Sequence, residues 1–412
     1  MPDEAAAAAE QAHRRSWGRL LAGTLRATGD LALAEEACAD AFELALQQWP
    51  RDGVPRSVEA WLLTVARRRA VDLVRRAATG RAKLALLAAE VPAAGYLPES
   101  DLFADDDVRL LALCCHPGLA PEAQLALTLR LACGVPTAAI AAAFLVSPAT
   151  MAARLTRAKA RLRPGDLALP DDVVLEERMP AIRAAVRLAY GLGHTAGHGV
   201  ALRGNALAGY AVRLAHTLYL HRLGDQECAG LFALLLLTEA RAPTRVDAAD
   251  RQTLLPDADR TAWDRALLAE AATVLAGLDP PSPSSGPLAL EARIGAEHSF
   301  ASSYAATNWL AVIALYDLWL AREPSPVVAL GRCLAVAEIA GPHAGLADLE
   351  EVLAIAGPAL ERYPYAHAGR ARLLGLLERH TDAAAAWERA AACARTDAER
   401  DYFVGRAAGE RG

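Results

Sequence analysis

"FLVSPATMAARLTRAKARLR", residues 144–163, holds five basic side chains and no acidic one, although the whole chain carries a net charge of −6. Wound as a helix, 148–162 places Met151, Leu155, Ala158 and Leu162 on one stripe at i, i+4, i+7 and i+11. The opposite face holds Ala149, Ala153, Thr156, Arg157 and Ala160, flanked by Thr150, Arg154 and Arg161. Ser147 is a good N-cap and Pro148 a good first-turn residue. Small residues between arginines let a helix lie close in a major groove while guanidinium groups reach phosphates or guanine edges. Upstream, "GVPTAAIAAAF" (134–144) supplies a shorter helix with Ile140, Ala141 and Phe144 inward, and a three-residue turn separates the two. That is helix-turn-helix spacing. The turn position usually given to glycine is Leu145, where a left-handed backbone would cost on the order of 1 kcal/mol. A helical hairpin with a basic, solvated outer face stays open as the plainer alternative.

Working outward, 412 residues suffice for two or three domains, and 54% hydrophobic content with 5% aromatics predicts a soluble, strongly helical protein. Seven cysteines without framework spacing point to a reduced interior. The opening "MPDEAAAAAEQAHRR" lacks the basic-then-apolar order of a signal peptide. "AGLFALLLL" (229–237) is too short to span a bilayer and reads as a core helix. The expectation is therefore cytoplasmic localisation, without a membrane partner. Charge is unevenly divided, with 20 Lys/Arg against 18 Asp/Glu in residues 1–163 and 23 against 31 in the remainder. The acidic remainder is a poor candidate for DNA binding.

Helical rather than alternating spacing runs through nearly every segment. Breaks fall at "WPRDGVPRS" (49–57), "VPAAGYLPESD" (91–101), "RPGDLALPDD" (163–172) and "LDPPSPSSGP" (278–287), the last read as a flexible loop or a hinge. Near the C-terminus, Ala383, Trp387 and Ala390 have the A-x-x-x-W-x-x-A spacing of a tetratricopeptide second helix, with Glu378 where the preceding turn would have glycine. A degenerate helical array of this kind usually binds another protein.

A second basic segment, "EAWLLTVARRRAVDLVRR" (59–76), has an inward stripe of Leu62, Val65, Ala66 and Leu73, with Arg67, Arg68, Arg75 and Arg76 projecting elsewhere. Before it, "LALAEEACADAFELALQQWP" (31–50) is an acidic amphipathic helix bearing Glu35, Glu36, Asp40 and Glu43. The order of acidic helix, "AWLLTVARRRAVDLVRR", linker and closing "SPATMAARLTRAKARLR" resembles bacterial sigma-70 factors of the extracytoplasmic-function type over about residues 10–165. The likeness is most specific in W-L-x-x-x-A-R-x-x-A-x-D-x-x-R-R (61–76) and in R-L-x-R-A-K (154–159). "WPRDGVP", "LALCCHPGL", "AFLVSPATMA" and "RTAWDRALLAEA" (260–271) are similar to the subgroup with a long tetratricopeptide-like C-terminal extension.

The resemblance implies an all-α chain: a region 2-like domain (1–85), a linker (86–104), a region 4-like helix-turn-helix domain (105–165) and a helical extension (166–412). It implies that Glu35, Glu36 and Asp40 meet the clamp of core RNA polymerase, although a frequent Gln of that motif is Ala39 here. Trp61, Arg67, Arg68, Arg75 and Arg76 would serve the −10 element, with the loop 50–57 as a pocket for an extruded base. Thr150, Arg154, Thr156, Arg157 and Arg161 would meet the −35 element, Ala152 and Ala153 making base readout sparse and shape readout larger. The extension would brace the promoter-binding units, inhibit them or recruit a regulatory protein. Where relatives often carry an Asp-Gly loop, this chain reads "RVDAADRQTLLPDADR" (245–260).

No catalytic residue, cofactor or metal is expected. His194 and His198 lie four apart, but Gly191, Gly193, Gly197 and Gly199 surround them, and the Cys114–Cys115–His116 cluster has no second cluster at ligand spacing. The nearer rival is a helix-turn-helix activator with a sensory repeat domain, for which a clamp-binding surface would have no use.

Overall fold

The computed structural model describes residues 2–80, 101–144, 146–162, 172–195, 204–245, 253–394 and 396–411, and every regular element among them is a helix. Leu145, residues 86–100 of the expected linker, 163–171, 246–252 and His198 with its glycines Gly197 and Gly199 lie outside the described residues. The chain forms two compact units, Met1–His221 and Arg222–Gly412. The change of charge near residue 165 thus falls inside the first unit, because two helices of the acidic half pack with the basic half.

In the first unit, α1 (Pro2–Thr28), α2 (Leu31–Asp52) and α3 (Val58–Gly80) pack against one another. Gly29 takes a left-handed backbone (φ 61°) that ends α1, and the Asp30 carboxylate accepts from the Ala32 and Leu33 amides to start α2. The buried stripe of α2 runs Ala34, Ala37, Cys38, Ala41, Phe42, Ala45 and Trp49, mostly small residues that let its neighbours come close. The helix continues through Pro50 to Asp52, so the break expected at 49–57 narrows to Gly53–Ser57, with Gly53 at φ 86°. Trp61 packs edge-on against Trp49 at 5.4 Å between ring centroids. On α3 the buried stripe is Leu62, Ala66 and Ala70, with Val65 and Leu73 half-buried.

Next come α4 (Asp101–Cys114), α5 (Pro121–Leu127) with a π turn at Thr128–Ala132, α6 (Thr137–Ala143) and α7 (Pro148–Arg161). The helices α8 (Asp172–Thr195) and α9 (Gly204–His221) form a hairpin packed on α4. Gly18 of α1 marks the tightest junction of the unit. A Cβ there would lie 2.1 Å from the Ala132 carbonyl oxygen and 2.3 Å from the Tyr210 hydroxyl, so only glycine lets α1, the π turn and α9 meet.

The second unit is a run of helices: α10 (Gln226–Ala240), α11 (Arg265–Ala276), α12 (Pro287–Phe300), α13 (Trp309–Arg322), α14 (Pro326–Ala340), α15 (Pro342–Ala356), α16 (Pro358–Glu361), α17 (Pro364–Leu376), α18 (His380–Cys393) and α19 (Asp397–Gly409). Proline at the first position starts α12, α14, α15, α16 and α17, where its missing N–H would have had no partner anyway. The greasy stretch 229–237 lies in α10 and is almost wholly buried. No single helix among the described residues is long and apolar enough to cross a membrane.

The stripe Ala383, Trp387 and Ala390 of α18 is buried against α17, as its tetratricopeptide-like spacing predicts. Glu378, in the turn between them, has φ 57° and is the one non-glycine residue with positive φ among the described residues. The loop 277–286 is held at several points. The Gln226 side chain accepts from the Asp279 amide, and Arg293 donates to the Leu278 and Asp279 carbonyls. The Glu227 carboxylate then accepts from the Leu288 and Ala289 amides, capping α12 from a distant helix.

Candidate functional site

Three helices of the first unit carry the residues singled out in the sequence. On α7, Ser147 Oγ accepts from the Thr150 amide at 3.1 Å and Pro148 occupies the first turn. Met151, Leu155 and Ala158 are buried, and Leu162 is half-buried. Burial of that stripe turns Thr150, Thr156, Arg157 and Arg161 to solvent with Ala149, Ala152, Ala153 and Ala160 between them. Arg154 is half-buried, its guanidinium 5.8 Å from the Phe144 ring centroid, so it also fastens α7 to the end of α6. The axes of α6 and α7 meet at 106°, within the range of a helix-turn-helix. The outer face is flat, small and cationic, which suits close approach to a polyanion.

On α3 the arginines divide. Arg68, Arg75 and Arg76 are exposed, whereas Arg67 is half-buried, and burial together with the neighbouring Arg26 pulls its pKa down against the opposing pull of Asp106. Trp61 is half-buried against Trp49 and serves the packing of α2 on α3. On α2, Glu36 is exposed, Asp40 lies 3.8 Å from Arg69, and Glu35 receives Lys159 of α7 at 2.6 Å. The last pair joins residues 124 apart in sequence and ties the candidate polymerase surface to the candidate DNA-reading helix.

A second set of charges, which sequence reasoning missed, joins the same two groups of helices. Arg26 lies 3.8 Å from Asp106, and Arg19 lies 3.9 Å from Asp107 and 3.7 Å from Glu59, which also accepts from Ser16 Oγ. Asp107 is 5% exposed, and burial pushes its carboxyl pKa up to about 7 although Arg19 opposes the shift. The run "DDDVRLLALCC" (105–115) held the signal: two carboxylates at the head of an apolar stripe must find partners when the stripe is buried.

The α8–α9 hairpin holds both groups. Arg178 of α8, 8% exposed, donates through Nη1 to the Ala112 carbonyl of α4 at 2.9 Å. Arg213 of α9 donates through Nη2 to the Arg15 carbonyl of α1 at 3.0 Å and lies over the buried Tyr210 ring. No local period announces such contacts.

Cys114 and Cys115 are core side chains whose thiol pKa values burial drives up, to about 12 for Cys115, and the His116 ring accepts from the Gly118 amide. Cys38 and Cys133 are likewise buried and pushed up to about 12, and all seven cysteines are free thiols. Among the described residues no group of three or more His, Cys, Asp or Glu side chains could hold a metal ion.

Comparison with known proteins agrees with this geometry segment by segment. Residues 14–79 match the family model for sigma-70 region 2, and 109–162 that for sigma-70 region 4. Residues 178–278 match a family of unknown function (DUF6596). An uncharacterized protein of Rhizobium meliloti (strain 1021) is 37% identical over 390 residues, covering 92% of this chain and 90% of its own length. No solved structure matches.

Proposed function

Since this chain belongs to the extracytoplasmic-function type of the sigma-70 family, with a C-terminal helical extension, we propose a division of labour among its helices. As a sigma factor it binds core RNA polymerase and promoter DNA and directs the start of transcription. The exposed face of α7, with Thr150, Thr156, Arg157 and Arg161 outward and Arg154 at its edge, meets the −35 element. The observation that carries this is the burial of Met151, Leu155 and Ala158, which fixes the rotation of α7 and so the identity of its outer face. Arg68, Arg75 and Arg76, with the turn 53–57 at the start of the same helix, meet the −10 element. Arg67 joins them once it leaves Asp106, and Trp61 shapes the site from within the packing. Glu35, Glu36 and Asp40 meet the polymerase clamp. The polymerase supplies the chemistry, so the chain itself is not an enzyme, and it works in the cytoplasm where polymerase and DNA are.

In its compact form the first unit cannot do all of this at once. Elements named −10 and −35 lie roughly 25 base pairs apart, about 85 Å at 3.4 Å per pair. A folded unit of this length measures about 45 Å across. The unit therefore opens when polymerase binds, and the Glu35–Lys159 pair exchanges for contacts to clamp and promoter. Arg178's bond to Ala112 is buried and Arg213's bond to Arg15 is exposed, so the α8–α9 hairpin stays with α4–α7 and releases α1. On this reading the α8–α9 hairpin of the extension braces the −35-reading helices, and the second unit is where a regulatory protein would dock.

Run-off transcription with purified chain and core polymerase, preceded by co-purification of the two, tests the proposal. Stable association and initiation at a defined start support it. Promoter binding without polymerase association would instead identify a helix-turn-helix activator.

A further inference from the structure

The second unit contains a feature that neither polymerase nor promoter binding uses. Helices α12–α14 and α17–α19 surround a cavity of about 310 Å³, large enough for a one- or two-ring molecule. The space exists because α14 presents Gly331 and Ala335 to it and α17 presents Ala368 and Gly369. At Gly331 a Cβ would come within 2.6 Å of the Tyr316 hydroxyl, so the glycine is what admits that ring.

The walls are unusual for this chain. Seven of its 22 Phe, Trp and Tyr residues line this one cavity, while its other cores are built mainly of Leu and Ala. Neighbouring rings brace one another: Tyr304 and Trp309 are 5.0 Å apart, His298 and Trp309 5.2 Å, and Trp387 and Phe403 5.9 Å. Flat, mutually supported walls favour a planar guest over a branched aliphatic one. Leu254, Leu255 and Pro256 lie along one side.

The polar groups say what the guest carries. The Trp387 indole N–H, a donor only, is buried and has no acceptor, and Trp387 itself is 2% exposed. His298 Nδ1 is likewise buried without a partner. Beside it, Arg260 donates through Nη1 to the His298 and Ala301 carbonyls, while its buried Nη2 has no acceptor. Burial, with the guanidinium groups of Arg241 and Arg260, holds the His298 pKa down to about 4, so the ring is neutral and the field at that end is positive. Two carboxylates beside the cavity are already engaged. Glu338 accepts from Arg372 at 2.7 Å and from the Tyr304 hydroxyl at 2.8 Å, and Glu399 accepts from the Tyr365 hydroxyl at 2.5 Å. A buried donor facing a cavity is satisfied when a water, an ion or a ligand supplies the acceptor.

We infer that this cavity binds a planar aromatic carboxylate, its ring between the aromatic walls and its carboxylate toward the unpartnered buried nitrogens of Trp387 and His298. The extension is then a small-molecule receptor carried on the same chain as the promoter-reading helices. This inference stands on the second unit alone and does not depend on the roles proposed for α2, α3 and α7.

Calorimetry on the full chain tests it, with 2-naphthoate as the planar probe. Cyclohexanecarboxylate serves as the non-planar control and 2-naphthalenemethanol as the uncharged one. Saturable one-to-one binding of 2-naphthoate is expected, at least tenfold tighter than either control. Trp387→Phe keeps a ring and removes the N–H, and should weaken binding about fivefold or more. Ala335→Phe fills the space and should abolish it. Absence of saturable heat up to millimolar 2-naphthoate overturns the proposal. Equal affinity for cyclohexanecarboxylate or for 2-naphthalenemethanol overturns it too, as does unchanged binding by the folded Trp387→Phe chain. Loss of polymerase association would sink the roles of the first unit while leaving these heats untouched.

Discussion

The two arginine-rich helices of the first unit use their charge in different ways. On α7 the outward arginines Arg157 and Arg161 face solvent among alanines and threonines, and Lys159 makes an ion pair to Glu35 of another helix. On α3, Arg67 is drawn in beside Arg26 and Asp106, Arg69 reaches Asp40, and Glu59 is held by Arg19 and Ser16. The first is a surface ready for a partner; the second is partly occupied by its own chain. Both helices are rich in arginine to the eye. What separates them is the charged residues that folding brings alongside, Arg19 and Arg26 from α1 and carboxylates from α2 and α4.

The comparison breaks most severely if the acidic face of α2 is inverted. Replacing Glu35, Glu36 and Asp40 together by lysine removes the partners of Lys159 and Arg69 and should abolish association with core polymerase. Circular dichroism should still report a helical protein, and normal holoenzyme assembly would refute the clamp assignment. Truncation comes next. A chain ending near residue 165 loses the bonds of Arg178 and Arg213 to α4 and α1 and should initiate poorly, whereas one ending at His221 keeps them. If the shorter chain transcribes more strongly than the full one, the hairpin inhibits rather than braces.

Asp107→Asn sharpens the contrast through pH. The carboxyl ionises near 3.8 when exposed and at about 7 when buried, so the folded unit keeps a proton that the open one gives up. Its contribution to stability is complete below about pH 4, falls as pH rises toward 7, and is constant beyond. A shift of about three pKa units sets an upper bound of about 4 kcal/mol. The asparagine variant should flatten the pH dependence of melting and raise the melting temperature at pH 8. Arg157→Ala should weaken promoter binding by about 1–3 kcal/mol if the guanidinium reads a base and by less if it touches only phosphate. Unchanged binding at moderate salt removes Arg157 from the interface. The smallest expected effect lies away from both helices. Glu378→Gly relieves a left-handed backbone and should stabilise the second unit by about 1 kcal/mol, read as a shift in denaturant midpoint.

How far the sequence could be read depended on the range of the interaction. The stripe and cap of α7, the Ala383–Trp387–Ala390 face and the unusual Glu378 turn are set within one or two turns of chain, and all three are visible as spacing. Pro50 was misleading because a proline near a helix C-terminus forfeits one hydrogen bond there and the packing of Trp49 carries the helix onward. The loop 277–286 looked mobile because proline, serine and glycine crowd it. Its restraints are Gln226, Glu227 and Arg293, two of them more than fifty residues upstream. Lys159 stood in a recognised motif, yet nothing in its neighbourhood named Glu35 as its partner.

The burial of the cysteines has a practical consequence. A thiol labels through its thiolate, and six of the seven cysteines are buried, several with ionisation pushed far above neutrality. Cys393 is partly accessible, and exchanging it for serine leaves a background on which maleimide dyes react slowly. Single cysteines placed at exposed Ala39 of α2 and Ala160 of α7 would then report, through energy transfer, the separation of the two helices that Glu35 and Lys159 hold together. The native chain thus comes nearly ready-made for single-molecule distance measurement.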